Sequence, residues 1–398
     1  MEELRRDESI RPSASESGLQ YSLPQLAGYF LKLGTLGFGG PVALVEYMRR
    51  DLVERRRWIK ESDYMEGLAL SQLAPGPLAA QLAIYLGFVH YRVTGATLAG
   101  IAFVFPSFLM VIGLGWAYVQ YGGLSWMQAV FYAVGAAVIG IIGSSAYKLT
   151  RKSVGRAPLL WAIYAVAAAV TVFTESENVL LFLAAGLLVW LVRAPPSLRG
   201  LRHRLPSMLF APLGLGAPGM LGLDWDLLGR ILGFFTYAGA FVFGSGLAIV
   251  PFLYSGVVKE HGWLTEQQFL DAVAVALITP GPVVITTGFI GFLVAGLSGA
   301  TVAAIATFLP AYLLTIIPAP YFKRYGKLPG VAAFVDGVTV AAIGAISGAV
   351  VVLGRRSIVD LPTAGIATVT VFLLWKMKVP EPLIIVAAGL LGLLIYAR

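Results

Sequence analysis

The sequence predicts an all-α polytopic membrane protein of two homologous, inverted repeats, with helices that break, or turn back as re-entrant hairpins, at membrane depth. Three observations predict it. The first is composition: 58% of the 398 residues are hydrophobic and 13% charged, with a mean hydropathy of +0.80, where soluble domains carry about 25% charged residues. The second is a succession of apolar runs, such as Leu98 to Tyr118 and Met127 to Tyr147, with shorter ones at Leu159 to Phe173 and Leu383 to Tyr396. A bilayer core takes about 20 apolar residues per helix. The third is that the chain repeats itself. Phe38-Gly39 recurs as Phe243-Gly244, Trp58 as Trp263, Glu61 as Glu266, and Pro75-Gly76-Pro77 as Pro280-Gly281-Pro282, an offset of 205 (280 − 75). Past the second Pro-Gly-Pro the register moves to 204 (310 − 106), pairing Gly95 with Gly299, Pro106 with Pro310, Gly140 with Gly344, and Arg151-Lys152-Ser153 with Arg355-Arg356-Ser357. Rare residues that keep one register this long mark a duplication, a common plan among secondary transporters.

The elements follow in order. Residues 1–22 are polar and of mixed charge, without the basic start and short apolar core of a signal peptide, and are expected to be a disordered tail. The first repeat is expected over 23–193 and the second over 227–398. Between them 194–226 holds Pro195-Pro196, Arg199, Arg202, Arg204 and Pro206, a composition that breaks helices and reads as a connecting loop.

Charge sets the orientation. The loop Arg49 to Lys60 carries Arg49, Arg50, Arg55, Arg56, Arg57 and Lys60, whereas its counterpart Tyr254 to Gln267 has Lys259 and His261. Basic loops stay cytoplasmic, so the halves are inverted, multi-pass in the inner (plasma) membrane and in contact with lipid. If each Pro-Gly-Pro segment is a hairpin, five crossings per half place most other basic loops inside, with Arg355 and Arg356 outside and the N-terminus outside. The formal charge of +8 therefore reflects topology, and no nucleic-acid partner is expected. The absence of cysteine excludes disulfides, thiol catalysis and thiolate metal sites. His90, His203 and His261 lie far apart, so neither a metal nor a cofactor is expected.

Pro-Gly-Pro cannot continue a regular helix, and irregular backbone at membrane depth is tolerated only where protein or a cavity covers it. Pro77 and Pro282 suit the first position of a new helix, whose free N–H groups favour an anion. The candidate binding set is therefore Pro75, Gly76 and Pro77 with Pro280, Gly281 and Pro282. The flexible pair Gly39-Gly40 and Gly244-Ser245-Gly246 joins them, as do the polar side chains Ser71, Gln72 and Gln81 of the first half and Thr279, Thr286 and Thr287 of the second. Lys32, inside the apolar run Leu26 to Leu36, is the candidate anion-attracting charge, or else it pairs with Glu46. Glu66 and Asp271 occupy equivalent positions (271 − 66 = 205) and are candidate proton carriers; Glu46 is a further one.

At these residues the sequence resembles the chromate ion transporter family, in its long-chain form with two homologous domains. The resemblance covers roughly Tyr29 to Ser153 and Phe235 to Ser357. It rests on Phe30-Leu31-Lys32-Leu33-Gly34 leading to Phe38-Gly39-Gly40-Pro41, on Glu54-Arg55-Arg56-Arg57-Trp58 and Pro75-Gly76-Pro77, and on Gly262-Trp263-Leu264 followed by Thr279-Pro280-Gly281-Pro282. It implies efflux of chromate, with sulfate as a chemically similar tetrahedral dianion and the proton motive force as the drive. The second half departs from the family pattern at Tyr237, where the first has Lys32, and at Ser245, which makes the two sites unequal. The residues alone leave chromate and sulfate unseparated. They also leave open a passive channel for sulfate-like oxyanions and assembly as a homodimer. An intramembrane enzyme lacks its motif here, and a mere scaffold gives no use for two costly breaks.

Overall fold

The computed structural model describes residues 21–38, 40–121, 125–175, 179–195, 224–242, 246–322 and 329–396. All regular structure in them is helical. The first half holds α1 (Leu23–Leu36), α2 (Gly40–Met48) running into a wide turn at Arg49–Arg55, α3 (Glu61–Leu73), α4 (Leu78–Tyr121), α5 (Ser125–Ser153), α6 (Pro158–Thr174) and α7 (Val179–Arg193). The second holds α8 (Trp225–Ala240), α9 (Val250–Tyr254), α10 (Glu266–Ile278), α11 (Thr286–Ile316), α12 (Pro329–Ser357), α13 (Leu361–Phe372) and α14 (Glu381–Tyr396).

Local chemistry sets the starts. The Ser22 amide donates to Gln25 Oε1 at 2.8 Å ahead of α1, Thr265 Oγ1 accepts from the Gln268 amide at 3.2 Å ahead of α10, and Asp360 caps α13. The expected tail thus gives up its last two residues to the fold: Tyr21 is buried and stacks on Trp58 with ring centroids 4.9 Å apart. Residues 1–20 lie outside the described residues.

Each half opens with two hairpins. α1 runs inward until Gly34 meets the backbone of Phe103. After Gly37 the chain returns through α2, and Arg56 lies over the rings of Tyr29 and Trp58 at 5.5 and 4.6 Å, beside the starting residue Tyr21. α3 then enters, breaks at Pro75-Gly76-Pro77, and the arm 78–91 returns, with Gly67 against the Tyr85 ring and His90 bonded to the Tyr21 hydroxyl at 2.5 Å. At Arg92 (φ 52, ψ −141) the chain reverses, Gly87 faces Gly95 backbone to backbone, and 93–121 spans the molecule. α5, α6 and α7 cross in turn.

This corrects the expected ten crossings. The chain turns back after α1, with the Gly37 carbonyl at the centre accepting from the Gly281 amide. Among the described residues each half therefore opens with two hairpins, and four helices, two per half, are long and apolar enough to cross a membrane; Tyr21 sits on the face that carries the basic loop instead of the opposite one.

The halves are inverted. The arm 93–121 runs beside the first arm of α11 in the same direction, Val111 against Gly288 and Gly115 against Phe292. Its start meets the end of the second arm, where Thr97 and Tyr312 share a hydrogen bond of 2.6 Å. The second pair of hairpins consequently opens on the other face. Arg49 to Lys60, Arg151, Lys152, Arg193, Lys376 and Lys378 fall on the first, basic face; Arg230, Lys259, Arg355 and Arg356 fall on the opposite one. The spans interlock: α12 packs on α6 and α7, and α5 packs on α13 and α14. Small residues permit the close approach, as at Gly337 against the Ala185 carbonyl, Gly344 against Tyr164 and Gly140 against Ala367.

Candidate functional site

The four hairpin tips meet at the centre. The Gly76 amide donates to the Val242 carbonyl at 2.5 Å, and the Gly281 amide donates to the Gly37 carbonyl at 3.0 Å. Val242 and Gly37 are the same repeat position (242 − 37 = 205), so each Pro-Gly-Pro break is closed by the first hairpin of the other half. Gly76 (φ 144) and Gly281 (φ 92) take backbone angles that side chains disfavour. Neither site has room for a Cβ, which at Gly281 would lie 2.1 Å from Ser107 Oγ and at Gly76 2.7 Å from Ala311 Cβ. Ser107, buried in α4, donates to the Pro280 carbonyl at 2.6 Å. Between the tips lies a void of about 10 Å³, lined by Pro41, Leu44, Pro77, Gly246, Gly281 and Pro282 among others. That is room for about one water, so the centre is closed.

Pro77 immediately precedes α4, as expected of a helix start. Pro282 does not open a helix directly, because a 3₁₀ turn, Val283–Ile285, intervenes before α11. Ser71, Gln81, Thr279, Thr286 and Thr287 are buried at the breaks. The hydroxyls of four of them already donate to backbone carbonyls: Ser71 to Gly67 at 2.8 Å, Thr279 to Ala276 at 3.0 Å, Thr286 to Val283 at 2.7 Å and Thr287 to Val284 at 3.1 Å. In this closed state their protons are used, and an oxyanion would have to draw them away. Gln81 Nε2 braces the first break by donating to the Pro75 carbonyl at 2.8 Å, while its Oε1 is buried with no hydrogen bond. Gly40 begins α2 and Gly246 begins a short 3₁₀ turn near Val283. Gly39, Gly244 and Ser245 lie outside the described residues.

Three predicted residues are exposed. α1 buries Leu26, Tyr29, Phe30, Leu33 and Gly34, which turns Lys32 to its exposed face; Gln72 of α3 and Glu46 of α2 are also exposed. Lys32 and Glu46 do not pair. The matched carboxylates differ as well. Asp271 is 3% exposed and accepts from the Tyr118 hydroxyl at 2.7 Å and from Gln267 Nε2 at 2.9 Å, so its bond to Tyr118 joins the two halves. Glu66 is half-buried and hydrogen-bonded to Tyr85 within its own half.

Sequence reasoning missed Ser107 and Tyr118. Ser107 carried a faint signal, a hydroxyl after Pro106 where the repeat has Ala311; Tyr118 carried none. It also missed a clasp on the opposite face. Glu175, from the turn after α6, bonds Arg356 Nη2 at 2.6 Å and Lys259 Nζ at 2.9 Å, and Arg356 also binds Tyr254 and Glu266. The Lys259 hydrogen bond, and then Arg356, hold the Glu175 carboxyl below its usual range. A depressed pKa stabilises the fold at neutral pH and is lost only as pH falls through that lowered value, so the clasp persists near neutrality.

A family model described as chromate transporter matches residues 24–190 and 229–393. The chain is 68% identical over 378 residues to a chromate transport protein of Cupriavidus metallidurans, covering 94% of each chain. It is 64% identical over 380 residues to a probable chromate transport protein of Synechococcus elongatus, covering 95% of this chain and 97% of that one. Identity to a chromate transport protein of Pseudomonas aeruginosa is 30% over 421 residues, covering 99% of both. No solved structure matches.

Proposed function

Because the chain belongs to the chromate transporter family, we propose that it is a secondary transporter that exports chromate from the cytoplasm, driven by the proton motive force. Sulfate is the chemically similar competitor. The observation that carries this is the reciprocal closure of the two breaks, Gly76 on Val242 and Gly281 on Gly37. Parting the tips frees two buried amides near the helix starts at one central point, the donor set a tetrahedral dianion needs. The basic face is cytoplasmic, and its arginines concentrate dianions on the side from which export begins. Asp271 is the proton carrier, since it is buried and tied to Tyr118 across the halves.

Alternating access by one half rocking on the other would tear α12 from α6 and α7. The moving bodies are instead the hairpins, sliding on the interlocked spans.

Chromate uptake into everted vesicles of the inner membrane tests the reading. Gradient-dependent uptake blocked by sulfate is expected; uptake indifferent to the gradient would show a channel, and none at all would sink the assignment. The clasp gives a second expected outcome. The chain has no cysteine, so Thr279→Cys introduces a single thiol at the centre. Adding Arg356→Ala should raise its labelling by an impermeant maleimide from the opposite face several-fold. Unchanged labelling would mean that the clasp does not hold that side shut.

A further inference from the structure

A groove of about 420 Å³ opens between α8 and α9 on the outside of the second half. Its outer end carries Arg230, Glu260 and His261; its deeper end is walled by Phe234, Phe252 and Tyr237, with Ser255 between them. His261 is fixed by stacking on Trp263 at 4.3 Å, edge-on to Phe234 at 5.6 Å. Arg230 pairs with Asp226 at 2.5 Å, which leaves guanidinium donors over, since that fork carries five N–H groups. The groove follows α8 from near its start on the opposite face toward the hairpin tip, so its polar end lies at the membrane interface and its aromatic end lies deeper.

We propose that this groove holds one phospholipid with a zwitterionic ethanolamine headgroup. Groups for both ends of such a headgroup stand at the outer end, the Arg230 guanidinium and an imidazole N–H of His261 for a phosphate and Glu260 for an ammonium. The aromatic walls of Phe234, Tyr237 and Phe252 take the glycerol and first acyl carbons. A free oxyanion would meet one phenol hydroxyl, that of Tyr237, at the deep end and a carboxylate at the rim. The matching positions of the first half are Gln25, Lys32, Arg50, Arg55 and Arg56 for Arg230, Tyr237, Ser255, Glu260 and His261. They put cations where the second half has a carboxylate, so preference for a zwitterion belongs to the second half alone.

Native mass spectrometry of the full chain in detergent tests this with added phosphatidylethanolamine, phosphatidylglycerol or chromate. One retained phosphatidylethanolamine, exceeding phosphatidylglycerol several-fold, is expected. Ser255→Trp, which fills the groove, should remove that adduct at unchanged melting temperature, and Glu260→Gln should erase the preference between the two lipids. Adducts indifferent to headgroup and to Ser255→Trp would overturn the proposal. So would displacement of the bound lipid by chromate, which would make the groove an oxyanion site. Because the readout is lipid retention, it stands or falls apart from the transport reading.

Discussion

Gly281→Ala is expected to lower chromate uptake by at least about tenfold, the equivalent of ~1.4 kcal/mol, in a protein that still inserts. The new Cβ would stand 2.1 Å from Ser107 Oγ on a residue whose φ is 92. Strained backbone of this kind costs about 1–3 kcal/mol, and overpacking a close-packed site costs about 1–3 kcal/mol more. Both fall on the closed centre, proposed above as a state of every transport cycle. Ser107→Ala in the same chain should restore part of the activity, because without Oγ the nearest atoms to the new Cβ are the Gly34 carbonyl oxygen and the Cβ of residue 107, both at 3.4 Å. Wild-type uptake by Gly281→Ala would refute the closed centre as an obligatory state. If Ser107→Ala restored nothing, backbone strain alone would carry the effect.

Asp271→Asn should uncouple transport from the gradient. Asparagine keeps the shape of the carboxylate and can still accept from Tyr118, but it cannot carry a proton. Gradient-driven uptake should fall about tenfold or more, while exchange of labelled for unlabelled chromate, which needs no net proton movement, continues. Glu66→Gln should have the smaller effect, since Glu66 bonds within its own half and is only half-buried. Full gradient stimulation in Asp271→Asn, measured across a series of imposed pH gradients, would rule Asp271 out as the carrier.

Much of this was legible in the residues. Duplication, inversion and the two Pro-Gly-Pro breaks are one-dimensional signals: spacing, loop charge, and a tripeptide that no helix tolerates. The hairpin of α1 was not, because a short apolar run followed by glycines suits a crossing or a return equally until the contact of Arg56 with Tyr29 decides it. That Lys32 lies on the exposed face of α1 was not legible either, because an apolar run does not say which face a cation occupies. The pairing of Ser107 with Pro280, 173 positions apart, and that of Tyr118 with Asp271, 153 apart, exist only once the halves interlock.

α7 ends on the basic face and α8 begins on the other. Each half, taken alone, is a unit that starts and finishes on one face, which bears on ancestry. Two such units made as separate polypeptides would rebuild the centre only if one entered the bilayer upside down relative to the other. The arginines of Arg49 to Lys60, absent from the counterpart Tyr254 to Gln267, are the charge difference by which such units would be told apart at insertion.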